Sequence, residues 1–375
     1  MKKKIAIIGS GIAGLTTANL LKTNPNFEVI VYEKESMLSL DEGYGIQLST
    51  NSIFILNKIG FRNVNHKDIF NPLKLNFYSN NNKICDLDLE RFNSNSVKYT
   101  TLRRSTLIEF LKDKLFTNNF SFGKEVKKVS KNKDKLLINF NDNTSDLVDF
   151  IFVSDGVFSK TKSIVENKNI KPRYNGSVAI RSVIKFSEDF NYENKNISLI
   201  MLPNAHIVIY PINKNNDFNL VCIVREKFSQ NYDIHSIIEK KVLSNNKNLK
   251  NLFKEDLNLW PVYITKKPIK SSHNNVFYLG DAFYTFVPAL AQGASQSIEA
   301  AYDLFNLLSE NSKNIQSLYF KKRLEKTKQI NKRSKFNYFG FHISNSLLKN
   351  LRNFILKRLV KNKDFIKSYL GKIYQ

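Results

Sequence analysis

Cysteine, glycine, proline and acidic residues are all scarce in this 375-residue chain. The two cysteines, Cys85 and Cys222, lie far apart without any CxxC or Cys/His spacing, which excludes a disulfide framework and a zinc signature, so we expect no metal. With 13 glycines and 8 prolines, the composition is neither collagen-like nor disordered. No run of about 18 apolar residues occurs, so no membrane-spanning helix is expected. These absences leave a globular protein of one large domain or two interlocked ones, for which a reducing, cytoplasmic setting fits best.

Acidic residues are outnumbered by basic ones, 33 Asp and Glu against 58 Lys and Arg, which gives a formal charge of +25. Such an excess could attract nucleic acid, because Lys and Arg release counterions from phosphate backbones. Most of the basic residues are lysines, and they are spread along the chain together with abundant asparagine. This pattern is typical of solvated lysines rather than of a binding footprint. We therefore expect no nucleic-acid partner. The alternative outside the enzymes is a basic nucleic-acid-binding protein with a vestigial nucleotide fold.

A glycine motif lies between the first predicted strand, residues 5–8, and a helical stretch that runs to Leu21. A second predicted strand, residues 27–32, ends at an acidic residue. This GxGxxG between strand and helix, followed by an acid at the end of the next strand, is the arrangement that binds a dinucleotide. The glycines permit a tight turn close to a pyrophosphate, and the helix N-terminus favours its negative charge. The residues expected at the dinucleotide are Gly9, Gly11, Ile12, Ala13, Gly14, Glu33 and Lys34.

Two further Asp and Gly pairs follow apolar strands. Asp155-Gly156 comes after residues 149–153, and Gly280-Asp281 comes after residues 276–279. Each places a carboxylate where it can reach a ligand lying across strand ends, although either pair alone could be an ordinary turn. The glycine motif leaves NAD and FAD both open. Two more sites of this kind imply one long ligand held along its length.

The other periodic segments alternate between helix and strand. Helical spacing occurs at residues 51–59, 102–115, 294–308 and 345–360, and strand patterns occur at residues 73–89, 136–140, 147–153 and 174–224. The stretch from 174 to 224 is rich in β-branched and aromatic residues, as in an antiparallel sheet. The sequence therefore predicts an α/β protein. Its nucleotide-binding domain is built from the first, middle and late parts of the chain, with a β-rich domain inserted.

The three motifs together resemble the group A flavoprotein monooxygenases, the family of salicylate and para-hydroxybenzoate hydroxylases, over nearly the whole chain. The resemblance implies a Rossmann-type FAD-binding domain, an inserted antiparallel β-sheet substrate domain and a C-terminal helical segment. On this basis residues 1–72, 98–170 and 270–335 are assigned to the FAD-binding domain, residues 73–97 and 171–269 to the substrate domain, and residues 336–375 to the helical segment.

The resemblance also assigns cofactor contacts. The GxGxxG and Glu33 hold the ADP part of FAD, and Asp281 is expected on the ribityl chain. A helix that begins near Gly293 would aim its backbone N–H groups at the flavin. Arg104 resembles the arginine that opens a helix near FAD, with Arg103 as its adjacent competitor. The cofactor contacts beyond the GxGxxG segment are Gly45, Ile46, Arg104, Asp155, Gly156, Gly280, Asp281, Pro288, Gln292, Gly293 and Ala294.

The chain departs from the family pattern at three places. Lys162 stands where the DG motif usually ends in Arg, and a lysine cannot reproduce the bidentate fork of a guanidinium. Phe283 and Tyr284 replace the usual Ala-His, and Ala291 replaces the first glycine of Gly-Gln-Gly. These changes concern the handling of NAD(P)H and the substrate more than FAD binding.

The activity implied by the resemblance is that of an NAD(P)H-consuming monooxygenase that hydroxylates an aromatic, phenolic small molecule with O2 through a flavin C4a-hydroperoxide. The predicted catalytic residues are His206 and Tyr210, which alternate with Val208 along one strand and share a face. A neutral histidine there could take the phenol proton, although an ordinary histidine at a sheet edge is the alternative. Other reactions considered are hydroxylation or epoxidation of a lipophilic quinone precursor or isoprenoid, and FAD-dependent reduction without oxygen insertion. A monomer or a homodimer is expected.

The predicted helix at residues 345–360 carries an apolar stripe with lysines and arginines between its members. The stripe consists of Leu347, Leu348, Leu351, Phe354, Ile355 and Leu359. We expect it to pack against the body of the protein, and peripheral attachment to an anionic membrane surface is the alternative.

Overall fold

The computed structural model describes residues 2–38, 40, 43–187, 191–254, 256–310 and 312–374. A few positions of the predicted domains, residues 41 and 42 among them, lie outside these ranges. The strands are β1 (Lys3–Ile8), β2 (Phe27–Tyr32), β3 (Gly45–Leu48), β4 (Ile69–Phe70), β5 (Lys74–Ser79), β6 (Asn82–Asp88), β7 (Thr100–Arg103), β8 (Phe120–Ser121), β9 (Val126–Asn132), β10 (Lys135–Phe140), β11 (Ser145–Val148), β12 (Phe150–Val153), β13 (Arg173–Lys185), β14 (Ile197–Leu202), β15 (Ala205–Pro211), β16 (Asp217–Arg225), β17 (Asn258–Ile264) and β18 (Val276–Tyr278).

Helices connect and cover these strands. The α-helices are α1 (Ile12–Leu21), α2 (Thr50–Lys58), α3 (Arg104–Asp113), α4 (Lys160–Val165), α5 (Ile234–Ile238), α6 (Gly280–Phe283), α7 (Gly293–Ser309), α8 (Ile315–Phe341), α9 (Ser346–Leu359), α10 (Lys363–Ile366) and α11 (Lys372–Tyr374). Tighter 3-10 turns lie at Phe61–Asn63, Glu90–Phe92, Thr117–Asn119 and Lys247–Phe253, and wider π turns at Glu239–Leu243 and Lys367–Gly371.

A parallel sheet of five strands in the described ranges has the order β18-β12-β1-β2-β8. Its central strands are apolar because both faces are covered. Ile5 and Ile7 pack against α1, α3 and α7 on one face, while Ala6 and Ile8 pack on the other face against the antiparallel sheet β11-β10-β9. Since β1, β2, β12 and β18 are parallel and in close register, their carboxyl ends meet at one edge.

A second large sheet has the order β17-β13-β16-β15-β14-β5-β6 and is antiparallel except between β14 and β5. One of its faces packs against α5 and the turns at residues 239–253. The opposite face packs against the end of α8, the loop at residues 287–289 and the C-terminal turns. The small sheet β3-β7-β4 contacts the second large sheet, since the Thr101 hydroxyl donates to the Pro211 carbonyl over 2.5 Å. The predicted α/β fold with an inserted antiparallel sheet is confirmed.

Two helices near the C-terminus differ from what the sequence predicts. The 27-residue helix α8 runs without a break through the boundary predicted at residue 336. All fourteen residues of α9 are at least partly exposed, and its apolar stripe points largely to solvent. The expectation that this stripe packs against the body is therefore wrong. None of the helices that the described ranges contain is long and apolar enough to cross a membrane.

Candidate functional site

The glycine loop after β1 combines two packing glycines with one that borders open space. Gly9 has φ +98°, and an added Cβ would lie 2.7 Å from the Ser154 carbonyl oxygen. At Gly14 an added Cβ would lie 2.1 Å from the Gly9 oxygen, so α1 can approach β1 only because that position is a glycine. At Gly11, by contrast, an added Cβ would have no described atom within 4 Å. The backbone of this loop is therefore open to a ligand at Gly11.

The N-terminus of α1 can accept an anion at this opening. Gly11 is its N-cap residue, and among the described residues no side chain caps the first turn. Its unpaired N–H groups and the helix dipole therefore favour negative charge. Glu33 lies beside it, accepting hydrogen bonds from the backbone N–H of Ser10 over 2.9 Å and from the Ser10 hydroxyl. Lys34 is exposed and pairs with Glu35 over 3.2 Å.

Asp155 follows β12 at the same edge of the sheet. Its Oδ2 accepts from the backbone N–H of Thr161 over 3.2 Å, and its buried Oδ1 has no hydrogen-bond donor among the described residues. Desolvation raises the pKa of this carboxyl, although hydrogen bonds from Ser159 and Thr161 oppose the shift. Gly156 has φ +85°, and the space beside it is open in the part of the chain described. A buried acceptor without a donor fits a hydroxyl-bearing ligand.

Gly280 and Asp281 complete the edge. Gly280 has φ +54°, and an added Cβ would lie 2.8 Å from the Cβ of Ala13, so this loop packs directly on the start of α1. The side chain of Asp281 is exposed to solvent. We call the space that these three loops border the cleft. Desolvation raises the pKa of its carboxyl to about 6, with the positive charge of Arg104 opposing the shift.

Lys162, which stands at the usual arginine position, is buried and donates from Nζ to the Ala282 carbonyl over 2.7 Å. Its burial lowers its pKa, while Asp155 opposes this shift. The lysine thus ties the loop after β12 to the loop after β18 through one directed hydrogen bond.

The two adjacent arginines have different environments. Arg103 donates to the Gly43 carbonyl over 3.1 Å and to Asp217 over 2.9 Å, which fixes the loop before β3 to the second sheet. Arg104 is the first residue of α3, and its positive charge favours the ionised form of the Asp281 carboxyl. The predicted contact Gly45 is buried, and its N–H donates to the Asn219 side chain over 2.7 Å, with Ile46 following it on β3.

The first turns of α7 lie beside the last of these loops, since an added Cβ at Gly280 would lie 3.0 Å from the Ser297 hydroxyl oxygen. Gln292 is its N-cap residue and donates to the Ser49 hydroxyl over 3.1 Å, and no described side chain caps the first turn. An added Cβ at Gly293 would meet none of the described atoms within 4 Å, and the next residue, Ala294, is half-buried. Ala291 has φ +50°, a left-handed conformation that explains why a glycine is usual there.

A buried ion cluster that the sequence did not point to holds α7 in place. Arg323 of α8 donates to Glu299 over 3.0 Å, to Asp303 over 2.9 Å and to the Gln296 side chain over 2.7 Å. The three acceptors all belong to α7, so one side chain fixes the orientation of the helix whose N-terminus faces the cleft. The only feature of the sequence that could have drawn attention to Arg323 is that arginine is scarce in this chain.

His206 does not project into the cleft. It is buried on the interior strand β15, and its Nδ1 lies 2.7 Å from the Nε2 of His342 at the end of α8. It also donates a hydrogen bond to the backbone carbonyl of Pro288, because proline has no backbone N–H to offer. Desolvation lowers the pKa of His206 to about 3. Exposed Pro288 is thereby tied to the second sheet.

Tyr210 lies on the same strand, buried among aromatic side chains. Desolvation raises the pKa of its hydroxyl, although Arg181 and a hydrogen bond with Gln47 oppose the shift. Gln47 also accepts from the Tyr99 hydroxyl over 2.8 Å. Tyr210 therefore stays protonated and joins the second sheet to β3.

Comparison with known proteins gives three kinds of match. Residues 7–41 match the model of the NAD(P)-binding Rossmann-like domain. The 3-amino-4-hydroxybenzoate 2-monooxygenase PtnB3 of Streptomyces platensis is 24% identical over 94% of this chain and 92% of its own length. The structure of Klebsiella pneumoniae HpxO complexed with FAD and uric acid has a TM-score of 0.85 at 18% identity, covering 99% of this chain and 96% of that one.

A substrate complex of salicylate hydroxylase has a TM-score of 0.80 at 17% identity, covering all of this chain and 97% of that one. The resemblance that the three motifs predict is thus confirmed: the chain is related over nearly its whole length to monooxygenases of aromatic compounds, and it has the fold of the FAD-dependent hydroxylases.

Proposed function

We propose that this chain is an FAD-dependent, NAD(P)H-consuming monooxygenase that hydroxylates an aromatic small molecule, preferably a phenol. The observation that carries the proposal is the convergence of three loops at one edge of the parallel sheet. They combine the open backbone at Gly11, the unsatisfied oxygen of Asp155 and the partly desolvated carboxyl of Asp281. A pyrophosphate flanked by ribose and ribityl hydroxyls matches this set of groups.

Each part of the edge has a definite role in holding the cofactor. Gly11 and the N–H groups of α1 would bind the pyrophosphate, Glu33 the adenosine ribose, and Asp281 the ribityl hydroxyls. The uncapped N-terminus of α7 would stabilise negative charge on the reduced ring through its N–H groups and dipole. When bound, FAD would supply the redox chemistry, taking electrons from NAD(P)H and passing them to O2.

The aromatic substrate would lie between the cofactor and the face of the second sheet. Tyr210 and Gln47 are the polar groups that β15 and β3 bring to this region. A protonated Tyr210 can donate a hydrogen bond to a phenolate oxygen, which favours the more reactive ionised ring. His206 enters the proposal as a positioning residue, because its hydrogen bond fixes the Pro288 carbonyl in the loop before α7.

The proposal is tested with the purified protein and a panel of phenols that includes hydroxybenzoates and hydroxypyridines. We expect a flavin absorbance spectrum, and oxygen uptake with NADH or NADPH that one class of ring stimulates and converts to a hydroxylated product. Oxidation of NAD(P)H that yields peroxide alone with every aromatic compound would favour the reductase alternative. Stimulation by quinone precursors or isoprenoids alone would favour the lipophilic substrate.

A further inference from the structure

Helix α9 packs on the protein through a side that carries Arg352 and Leu356. Arg352 is directed inward, where it donates to the Gly340 carbonyl over 3.1 Å and to the Ser79 hydroxyl over 3.2 Å. Burial lowers the pKa of this guanidinium to about 10. The opposite side of the helix carries the apolar stripe, where the exposed fractions are 78% for Leu347, 53% for Leu351 and 52% for Phe354. An amphipathic helix that only stabilised the fold would be oriented the other way round.

The exposed stripe is larger than scattered surface residues would be. Five large apolar side chains of α9 are exposed together, and Phe336 and Phe339 add two exposed rings at the end of α8. Since Arg352 binds the backbone at Gly340, these two helix segments are neighbours. Several large apolar side chains exposed together on one helix face mark an interaction site.

The charge around the stripe indicates the kind of partner. Residues 332–374 contain eleven lysines and arginines and a single acid, Asp364. The side chains of Lys357, Lys361 and Lys363 are exposed, and Arg358 lies 4.1 Å above the ring of Phe354. A second copy of this chain would bring an equally positive face against the first. An anionic partner is therefore favoured over self-association.

We propose that α9 and the basic residues beside it form a docking surface for an anionic lipid membrane. The helix would lie in the plane of the headgroups, with Leu347, Leu351 and Phe354 in the acyl boundary and the lysines on anionic headgroups. At fourteen residues α9 is about 21 Å long, which suits a helix that lies on a bilayer but is too short to cross it. The docking surface is independent of the proposed hydroxylation.

The test is sedimentation of the intact protein with vesicles of phosphatidylcholine alone or with about one third phosphatidylglycerol. We expect binding to the anionic vesicles only, weakened severalfold when salt rises from about 0.1 to 0.5 M. The triple variant Leu347→Gln, Leu351→Gln, Phe354→Gln should bind at least about tenfold more weakly while keeping its thermal stability. The charge variant Lys357→Gln, Lys361→Gln should also bind more weakly and lose part of the salt dependence.

The matched control is Phe116→Gln, Phe228→Gln, which removes two rings that are 73% and 56% exposed elsewhere on the surface. It should bind vesicles like the unaltered protein. Equal binding by the triple variant, or an unaltered protein that stays in the supernatant with anionic vesicles, would overturn the proposal. So would a dimer in sedimentation velocity that the triple variant abolishes, because the stripe would then serve a second copy.

Discussion

Gly11 and Gly14 stand three residues apart and are glycines for different reasons. At Gly11 a side chain would enter space that we assign to the pyrophosphate, whereas at Gly14 it would collide with the backbone of Gly9. Gly11→Val should therefore fold normally and lose FAD, while Gly14→Val should fail to fold. The measurements are the flavin-to-protein ratio and the melting temperature of the flavin-free protein. Gly340→Val, at another open glycine that lies on α8 outside the three loops, should retain flavin; full flavin in folded Gly11→Val would contradict the site.

Asp281 should make FAD binding depend on pH. Desolvation raises the pKa of its carboxyl to about 6. Folding of the FAD-free protein therefore disfavours the ionised form, and the carboxyl contributes less to stability as pH rises toward about 6. The ribityl hydroxyls would donate to the ionised carboxylate, so FAD affinity should increase between pH 5 and 7. Titration with FAD across this range, followed by flavin fluorescence, measures the effect. The Asp281→Asn protein should bind more weakly, and an unchanged pH profile in that protein would remove Asp281 from the ribityl chain.

At the scale of single residues, the sequence predicts site residues that directly follow a strand. It misses pairs of residues that are distant in the sequence and touch only in the fold. The glycines and aspartates of the three loops are recognisable because each directly follows an apolar strand whose end must lie at the sheet edge. The partner of His206 is His342, and nothing local to either residue indicates that they touch. Likewise, Arg103 ends β7 and Arg104 begins α3, and it is this junction, which the sequence does not locate to one residue, that gives the two arginines different roles. The assignments of these residues to cofactor and catalysis stay predictions.

The orientation of α7 depends on Arg323, and this dependence is testable. Arg323→Met would leave Glu299 and Asp303 without their shared buried cation, which typically costs about 3 to 5 kcal/mol. Because Lys322 and Lys326 also pair with these acids, we expect the lower end of that range. Urea unfolding measures the free-energy change. Lys322→Met, at an exposed lysine of the same cluster, should change stability by less than about 1 kcal/mol, and equal effects of both substitutions would show that the buried pairing is unimportant.

The helices of the C-terminal part explain which elements escape prediction. The inward positions of α8 recur every three or four residues, but most of them are polar, including Gln316, Arg323, Thr327 and Ser334. A search for apolar periodicity therefore misses a helix that is anchored by hydrogen bonds and ion pairs. In α9 the periodicity is present and correctly predicts a helix. It fails to predict the buried face because Arg352 satisfies its hydrogen bonds inside, which leaves the apolar stripe exposed to solvent.

Across the whole molecule, the two buried histidines should make the fold sensitive to acid. Desolvation lowers the pKa of His206 to about 3 and that of His342 to about 2, with His206 and Arg225 adding to the latter shift. Both would take up protons on unfolding, so their contribution is complete above about pH 6.5 and is lost as pH falls. From pH 7 to pH 5 the loss is roughly 2 kcal/mol for each histidine.

Urea unfolding at pH 7 and pH 5 tests this sensitivity. His342→Gln retains a donor for His206 but cannot titrate, so the loss between the two pH values should shrink by roughly 2 kcal/mol. His235→Gln, at an exposed histidine, should leave the loss unchanged. A pH dependence identical in all three proteins would mean that the histidine pair is not what acid disrupts.

The order of strands in the parallel sheet also governs how the chain can be made. The first strand, β1, lies between β2 and β12, and β12 in turn requires β18 on its far side. During synthesis at about 5 to 20 residues per second, β1 would wait several seconds or more for β12 and longer still for β18 and α7. Its apolar edge stays without a partner throughout, so nascent chains should need protection from aggregation. Cofactor capture becomes available only after the ribosome has passed the last of these segments.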